Sequence, residues 1–136
     1  MGSLVTLEGS PALAELARDH LRRLGLDARA QVVIGDFRDT LDPVLRAHGP
    51  IHCVLMDGHH EERATLDYFA HILPFLADGA LLVIDDIAWS RGMARAWRMI
   101  ARHGRIAVAA DLVAVGVCVV GSAEAPRARS FTVALE

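Results

Sequence analysis

Short runs of aliphatic and β-branched residues alternate along this chain with longer segments in which apolar residues recur every three or four positions. The short runs predict β-strands, and the longer segments predict amphipathic helices with one buried face. Strands that alternate with helices in this way are typical of a parallel sheet with helices on its faces. The clearest predicted strands are Leu4–Leu7, Ala30–Ile34, Ile51–Met56 and Ala80–Ile84.

Capping residues and glycines mark where the predicted helices begin and end. The first helix starts at the cap Ser10, with Pro11 in its first turn, and Gly25 stops it. Pro74 is expected to kink or shorten the last turn of the third helix. The other predicted helices run from Asp39 or Thr40 to about Gly49, from Glu62 to Leu76, and from Ser90 to Gly104.

The last third of the chain is predicted to be mostly β. The turn-rich segment GSAEAPRAR separates Ile106–Val120 from Ser130–Leu135. We expect Ser130–Leu135 to be an antiparallel strand near the C-terminal edge of the sheet. The sequence thus predicts a single α/β domain over residues 1–136, with a mainly parallel sheet and helices on both faces.

Four predicted strands end in a carboxylate, and the acids concerned are Glu8, Asp36, Asp57, and Asp85 with Asp86. The carboxyl ends of parallel strands open on one edge of a sheet, where such folds bind ligands. Aspartate is also common at helix caps and in turns, which accounts for any single one of these acids without a ligand. Their repetition on four strands favours a functional edge.

Glu8 and Asp36 are the candidates for binding a nucleoside. A carboxylate at this strand end can accept hydrogen bonds from both ribose hydroxyls, which suits Glu8. Asp36 can accept a hydrogen bond from an adenine amino group, and the neighbouring Phe37 offers an apolar surface against which the adenine ring can pack. The sequence therefore predicts that Glu8 and Asp36 face one ligand crevice.

Asp57, Asp85 and Asp86 are hard oxygen donors, which suit Mg²⁺ or Ca²⁺ better than zinc. If the three carboxylates converge, their mutual repulsion favours a bound divalent cation. His59 and His60 follow the same strand as Asp57 and are candidates for a general base or a further ligand. A histidine pair in a loop is, as the alternative, simply solvated.

Composition narrows the function classes. The chain has 136 residues, 53% hydrophobic and 23% charged, which is enough for one globular domain with a core. A net charge of −3 and the lack of a basic run give no reason to expect a nucleic-acid partner. All fourteen basic residues are arginine, which excludes a P-loop lysine and Schiff-base chemistry.

The cellular location is predicted from what the sequence lacks. No apolar run approaches the roughly 20 residues of a membrane helix, and no signal peptide is recognisable. The protein is therefore expected to be cytoplasmic and to have no membrane partner. Cys53 and Cys118 lie in apolar strand-like runs and are predicted to be buried, inert thiols.

Three stretches of the chain together resemble the class I S-adenosylmethionine-dependent methyltransferases. They are LVTLEGSPALAELARDHLRRLGL, VVIGDF and VLMDGHHEERATLDYFAHILPFLADGALLVIDDIAWSRGMARAW. The resemblance is to a bacterial branch with a DGNH-like and a DDIHWS-like segment. It implies a Rossmann-like fold, S-adenosylmethionine as cofactor, and methyl transfer to a small-molecule acceptor.

The resemblance also implies roles for individual residues. Glu8, with Gly9 beside it, corresponds to the acid that binds the cofactor ribose, and Asp36 corresponds to the acid beside its adenine. Asp57 belongs to the same cofactor site. The catechol-type relatives hold a divalent metal on the acids that correspond to Asp57, Asp85 and Asp86, and Asp86 stands where they often have asparagine.

The family's first strand and glycine-rich loop would come directly before LVTLEG, and the chain is expected to be incomplete at that end. In the family that strand lies between Leu4–Leu7 and Ile51–Met56. These two strands are then expected to pair directly, or to be joined by a second chain or by a missing N-terminal segment, with direct pairing or dimerisation favoured. An isolated chain of this kind is expected to bind S-adenosylmethionine weakly and to show little transfer.

Two other functions stay open at this point. A nicotinamide-dependent oxidoreductase would also use an acid at Glu8, but it would give Asp57 and Asp85 no function. A degenerate domain that folds or associates without turnover is the non-enzymatic alternative. A homodimer is compatible with the enzymatic functions and with this alternative. Titration with S-adenosylhomocysteine against NAD separates the two enzymatic alternatives.

Overall fold

The structure, a computed structural model, describes residues 2–122 and 129–133. Its contacts group into two compact units, residues 1–48 and residues 49–136. The first unit contains β1 (Leu4–Glu8), α1 (Pro11–Arg23), β2 (Ala30–Ile34) and α2 (Phe37–His48). The second contains β3 (Ile51–Met56), α3 (Glu62–Ile72), β4 (Leu76–Ile84), α4 (Arg91–Ala101), β5 (Ile106–Asp111), β6 (Gly116–Val120) and β7 (Arg129–Thr132). A single domain over the whole chain stays a prediction.

The first unit is a parallel pair of strands with two helices. β1 and β2 pair in register from Leu4 with Ala30 to Glu8 with Ile34, so their carboxyl ends lie side by side. Helix α1 begins where the sequence predicts it, because the Ser10 hydroxyl accepts the Leu13 amide at the cap. The strand and the helix that follows it are therefore joined by one tight turn.

Helix α2 begins at Phe37, so the prediction of a cap at Asp39 or Thr40 is wrong. The Asp36 carboxylate accepts the Arg38 amide at 2.9 Å, and the Asp36 carbonyl accepts the Thr40 amide at 3.0 Å. Asp36 therefore has the capping function, three to four residues earlier than expected.

The second unit is a mixed five-stranded sheet in the order β3-β4-β6-β5-β7. β3 is parallel to β4, whereas β6 lies antiparallel between β4 and β5. β7 pairs parallel with β5, so the expectation that Ser130–Leu135 is the antiparallel strand is wrong. The antiparallel strand is β6, and residues 134 and 135 lie outside the described part of the chain.

Helix α3 ends at Ile72, which corrects the prediction that it continues to Leu76. A 3₁₀ turn, Leu73–Phe75, follows, and β4 begins directly at Leu76. Pro74 has no amide hydrogen and cannot continue the helical hydrogen bonds. Leu76 is thus a strand residue, and β4 begins four residues earlier than the predicted start at Ala80.

A turn at residues 112–115 divides the run Ile106–Val120 into β5 and β6. One carboxylate oxygen of Asp111 accepts the Val113 amide at 2.9 Å, and the other accepts the Trp97 indole N–H at 3.1 Å. The Trp97 ring lies directly against Gly116, where an added Cβ would approach it to 2.5 Å. Helix α4 is thereby fixed on one face of the sheet.

The core of the second unit lies between that sheet face and the helices α3 and α4. Leu82 of β4 and Cys118 of β6 are fully buried there, and Thr65 of α3 donates its hydroxyl to the Met93 sulfur of α4 at 3.3 Å. Cys53 lies on the other side of the sheet and is exposed, so the prediction that it is buried is wrong.

β1 and β3 are each paired on one side. In the described ranges, β1 hydrogen-bonds to β2 within the first unit, and β3 hydrogen-bonds to β4 within the second. The expected direct pairing of Leu4–Leu7 with Ile51–Met56 would join the two units and stays a prediction.

Candidate functional site

The carboxyl end of β1 places Glu8 at the turn into α1. Its Oε1 accepts the Ser10 amide at 2.7 Å, and its carbonyl accepts the Gly35 amide at 3.1 Å from the end of β2. The side chain is half-buried, and the neighbouring Gly9 has open space around its Cα. A carboxylate held by one oxygen keeps acceptor capacity on the other, which is what binding a hydroxyl pair requires.

Asp36, at the end of β2, is engaged by Arg38. The Arg38 guanidinium donates to both carboxylate oxygens, at 3.0 and 2.9 Å, in a two-point ion pair at the surface. Gly35 before it has φ +146°, a conformation suited to glycine, and a Cβ there would meet Thr40 at 2.7 Å. The turn thus fixes Asp36, and Phe37 follows it half-buried.

In the second unit, His60 bridges the ends of β3 and β4. Its Nδ1 lies 3.3 Å from Oδ2 of Asp86, and its Nε2 lies 3.8 Å from Oδ1 of Asp57. The imidazole is about one third exposed, so it contacts solvent and both carboxylates together. The structure therefore brings three of the predicted site residues into one contact group.

His59 points to a different partner from its neighbour. Its Nδ1 is 2.8 Å from the Tyr68 hydroxyl of α3, and the two rings lie 5.7 Å apart. The sequence predicts both histidines as candidates for the base. The geometry distinguishes them, because His60 contacts Asp57 and Asp86, whereas His59 contacts Tyr68.

The backbone at this site is strained. His59, His60 and Asp86 all have positive φ, at 62°, 30° and 55°, a region that residues other than glycine seldom adopt. Strained residues of this kind cluster at functional sites, because the surrounding structure must hold them there. The turns after β3 and β4 thus share a strained backbone conformation. The contact between His60 and Asp86 joins the same two turns.

Asp85 does not join the His60 group through its side chain. Its Oδ1 accepts the Asp86 amide at 2.9 Å, and its own amide donates to the Met56 carbonyl at 3.0 Å. It therefore orders the loop after β4 and ties that loop to the end of β3.

A metal centre on Asp57, Asp85 and Asp86 is not assembled here. The part of the chain that the structure describes contains no group of three or more histidine, cysteine or acidic side chains that could hold a metal ion. The expected convergence of the three acids is therefore not found. Asp85 is directed to a backbone amide, and the His60 ring contacts both other carboxylates.

Trp89 is a site residue that the sequence analysis missed. Its ring lies 6.3 Å from the His60 ring, and its side chain is 71% exposed. Its amide donates to the Asp86 carbonyl at 2.9 Å, which holds it in the loop after β4. The feature of the sequence that could have identified it is a tryptophan outside any apolar pattern, three residues after the strand-end acid Asp86.

An ion pair holds the start of α3, the helix that follows the histidine loop. Arg95 of α4 donates from Nε to both carboxylate oxygens of Glu62 at 3.0 Å. The hydrogen bond from Arg95 lowers the pKa of the Glu62 carboxyl below its ordinary value. The same pair raises the pKa of Arg95, so both groups keep their charge at neutral pH.

Comparison with known families gives a match over most of the chain. A family described as a methyltransferase domain matches residues 1–87. That range includes every site residue discussed above except Trp89 and Arg95. None of the helices in the described ranges is long and apolar enough to cross a membrane.

A curated relative is the catechol O-methyltransferase of Mycobacterium tuberculosis. It is 37% identical over 92 residues, which are 68% of this chain and 40% of the relative. The chain thus spans less than half the length of the curated relative that it matches.

Two solved structures share the fold. A cofactor-bound protein of M. tuberculosis, Rv0187, has a TM-score of 0.74 and 28% identity, with 88% of this chain and 62% of that chain covered. An O-methyltransferase from Bacillus cereus in complex with SAH has a TM-score of 0.73 and 24% identity, with 88% and 63% covered.

Proposed function

The chain belongs to the methyltransferase-domain family, and from that premise we propose that it transfers a methyl group from S-adenosylmethionine to a hydroxyl oxygen of a small molecule. The observation that carries this proposal is the contact of His60 with Asp57 and Asp86. A relative named for O-methyl transfer to a catechol, 37% identical over 92 residues, supports oxygen as the acceptor atom.

Glu8 is the residue that we assign to the cofactor ribose. Its half-buried carboxylate has one oxygen on the Ser10 amide, which fixes its direction, and keeps acceptor capacity for hydroxyls. Gly9 next to it offers no side chain that would block a ligand. When bound, S-adenosylmethionine would supply a sulfonium methyl group for in-line attack by an oxygen nucleophile, with the thioether S-adenosylhomocysteine as the leaving group.

Asp36 and Phe37 are assigned to the adenine. The Asp36 carboxylate is already paired with Arg38, so accepting a hydrogen bond from the adenine amino group means sharing it with the guanidinium. Asp57 keeps the part in cofactor binding that the family resemblance implies for it.

His60 is assigned as the base that takes the proton of the acceptor hydroxyl. One ring nitrogen must be unprotonated to do so, and which nitrogen it is depends on the tautomer. After the transfer, the carboxylates of Asp57 and Asp86 complement the positive charge of the imidazolium. His59, held by Tyr68, is assigned the lesser role of fixing the loop.

A divalent metal is not part of the proposed mechanism. The described acids do not assemble into a ligand group, and His60 already contacts two of the three that would hold the ion. The proton of the acceptor is therefore routed to His60 alone.

The exposed Trp89 ring suggests the shape of the acceptor. An indole beside the proposed base offers a flat surface on which an aromatic ring stacks. A planar aromatic alcohol fits this arrangement, whereas the net charge of −3 disfavours a nucleic-acid acceptor. Both cysteines are free thiols, which suits a reducing compartment and a cytoplasmic location.

Calorimetry with S-adenosylhomocysteine and with NAD, followed by transfer of a labelled methyl group to catechol, tests the proposal. We expect binding of the first ligand only, weak in this chain by itself, and slow transfer to oxygen. Glu8→Gln is expected to weaken binding by about 1–3 kcal/mol, as the loss of a charged acceptor does. Glu15→Gln, on the outer face of α1, is the matched control and is expected to change nothing.

Two results would contradict the assignment. Preferential binding of NAD would favour the oxidoreductase alternative, and equal affinity of the Glu8 and Glu15 variants would remove Glu8 from the cofactor site. Binding of S-adenosylhomocysteine without any transfer to hydroxyl acceptors would favour a domain that binds without turnover.

A further inference from the structure

The turn between β5 and β6 has a strained backbone, like the turns after β3 and β4. Val113 has φ 75°, a region that β-branched residues rarely adopt. Its two neighbours are joined across it, because the Ala114 amide donates to the Leu112 carbonyl at 3.0 Å. A hydrogen bond between residues two apart, with a positive φ at the residue between them, is typical of the rare and strained γ-turn. The proposed methyl transfer so far gives this γ-turn no role.

Asp111 holds the γ-turn from the end of β5. Its Oδ1 accepts the Val113 amide at 2.9 Å, and its Oδ2 accepts the Trp97 indole N–H at 3.1 Å. The carboxylate is half-buried, and the Trp97 ring that it bonds is buried. Strained residues persist only where the surrounding structure holds them in place. Asp111 provides such a hold, because one oxygen engages the strained residue while the buried indole fixes the other.

The γ-turn is bonded to the loop that carries Asp86. The Ala114 carbonyl accepts the Ile87 amide at 2.9 Å, and Ile87 is buried, so this hydrogen bond lies in the interior. Asp86 directly precedes Ile87, and its Oδ2 lies 3.3 Å from the His60 Nδ1. A continuous series of contacts therefore leads from the γ-turn to the imidazole.

The loop after β4 is anchored on both sides of Asp86. Before it, the Asp85 amide donates to the Met56 carbonyl of β3 at 3.0 Å. After it, the Ile87 amide donates to the Ala114 carbonyl of the γ-turn. Asp86 itself has φ 55°, so its conformation depends on such anchors. A γ-turn that relaxes would release the second anchor and let the Asp86 carboxylate move relative to its histidine partner.

We propose that Asp111 is a positioning residue for the methyl transfer. It holds the γ-turn at Val113 in the conformation that anchors Ile87. The anchored loop in turn places the Asp86 carboxylate beside His60. This inference rests on the proposed function in one respect, the assignment of the imidazole as the base. Because Asp111 acts through the backbone of the loop, it should affect the rate of transfer and not the binding of S-adenosylhomocysteine.

Amide hydrogen exchange, followed by NMR in the full chain, tests the connection without turnover. Asp111→Ala removes both acceptor oxygens, so the Ile87 amide is expected to exchange at least about tenfold faster. The Leu82 amide, in the fully buried part of β4, is the internal reference for a general loss of stability. Asp78→Ala removes the ion pair with Arg105 near the start of β4. It is the matched control and should leave exchange at Ile87 unchanged relative to that reference.

A second substitution distinguishes the γ-turn from the contact with Trp97. Glycine adopts positive φ without strain, so Val113→Gly added to Asp111→Ala should restore part of the protection of the Ile87 amide. It would restore none if Asp111 acted only by holding Trp97 and helix α4. Asp111→Asn keeps one acceptor oxygen, so it should lie between the original chain and the alanine variant. It carries the test if the alanine variant does not fold, which circular dichroism checks.

The His60 ring and the rate of transfer supply the functional readouts. In Asp111→Ala the NMR signals of the His60 ring should shift. The kcat for transfer of a labelled methyl group to catechol should fall by about fivefold to 50-fold, while the affinity for S-adenosylhomocysteine stays within about twofold.

Unchanged exchange at Ile87 in Asp111→Ala, unchanged His60 signals, or an equal loss of rate in Asp78→Ala would overturn the proposal. The failure of the proposed function gives a different result. The original chain would then transfer no methyl group, whereas the changes at Ile87 and His60 would still be found.

Discussion

The His60 imidazole lies 3.3 Å from the Asp86 carboxylate, so the turns after two neighbouring parallel strands meet through this side-chain contact. The histidine comes from the loop after β3, and the acid comes from the loop after β4. A backbone hydrogen bond from the Asp85 amide to the Met56 carbonyl, at 3.0 Å, also joins the two strand ends, so the base assigned to His60 depends on both. Substitutions at the end of either strand are therefore expected to alter the proposed methyl transfer.

Replacing His60 should remove most of the methyl transfer. His60→Gln keeps a polar side chain of similar size but cannot take up a proton, so kcat is expected to fall by about 10²–10⁴. His59→Gln is the matched control, because His59 contacts Tyr68 of α3. Steady-state kinetics measure both, and an equal loss in the two variants would contradict the assignment of the base.

Replacing Asp86 should act through the position of His60. Asp86→Ala is expected to lower kcat by about 10-fold to 100-fold with a smaller change in KM, as the loss of an orienting partner does. Asp86→Asn keeps a hydrogen-bond acceptor, and asparagine tolerates the positive φ at this position, so it should recover part of the rate. If asparagine is no better than alanine, the contact does not orient the histidine.

The turn into β6 should be sensitive to one added methyl group. In Gly116→Ala the new Cβ would lie 2.5 Å from the buried Trp97 ring, so the protein is expected to lose about 1–3 kcal/mol of stability. Gly104→Ala is the matched control, because nothing lies within 4 Å of its added Cβ. Urea unfolding measures both variants, and equal midpoints would contradict the tight packing described at Gly116.

The Glu62–Arg95 pair predicts a pH-dependent contribution to stability. The pKa of Glu62 is lowered in the folded protein, so the pair stabilises it above the ordinary value of 4.5, and the effect is lost as the pH falls through the lowered value. The difference in Tm between the original chain and Arg95→Gln should therefore be largest near pH 7. It should vanish in acid and shrink in high salt, and a difference independent of pH would contradict the pairing.

The two cysteines should react very differently. Burial raises the pKa of the Cys118 thiol to about 12, whereas Cys53 is exposed. At pH 8 an aromatic disulfide reagent should label one thiol per chain in the folded protein and two after unfolding. Cys53→Ser should reduce the folded count to zero, and fast labelling of that variant would show that Cys118 is accessible.

Local signals in the sequence predicted the local elements well. The strands Ala30–Ile34 and Ile51–Met56 have the predicted bounds, and Ser10 caps the first helix as expected. These elements depend on hydrogen bonds and side-chain patterns within a few residues of each other. The placement of acids at strand ends was predictable for the same reason.

Features that depend on distant residues were not predictable. The direction of β7 is set by its pairing with β5, about 20 residues away, and nothing in its own four residues encodes it. The difference between His59 and His60 depends on Tyr68, and on where Asp86 is placed by another strand. The sequence identified the histidine pair but did not indicate which member contacts the acids.

The positive φ values at His59, His60 and Asp86 have a consequence for engineering this protein. Each such residue costs of the order of 1–3 kcal/mol, and glycine at any of them would relieve that cost. A library selected for thermostability alone should therefore enrich glycine or asparagine at these three positions. Such variants would resist heat better but turn over more slowly. Glycine or asparagine would relax the turn, but it would also replace the side chain that the turn positions at the site.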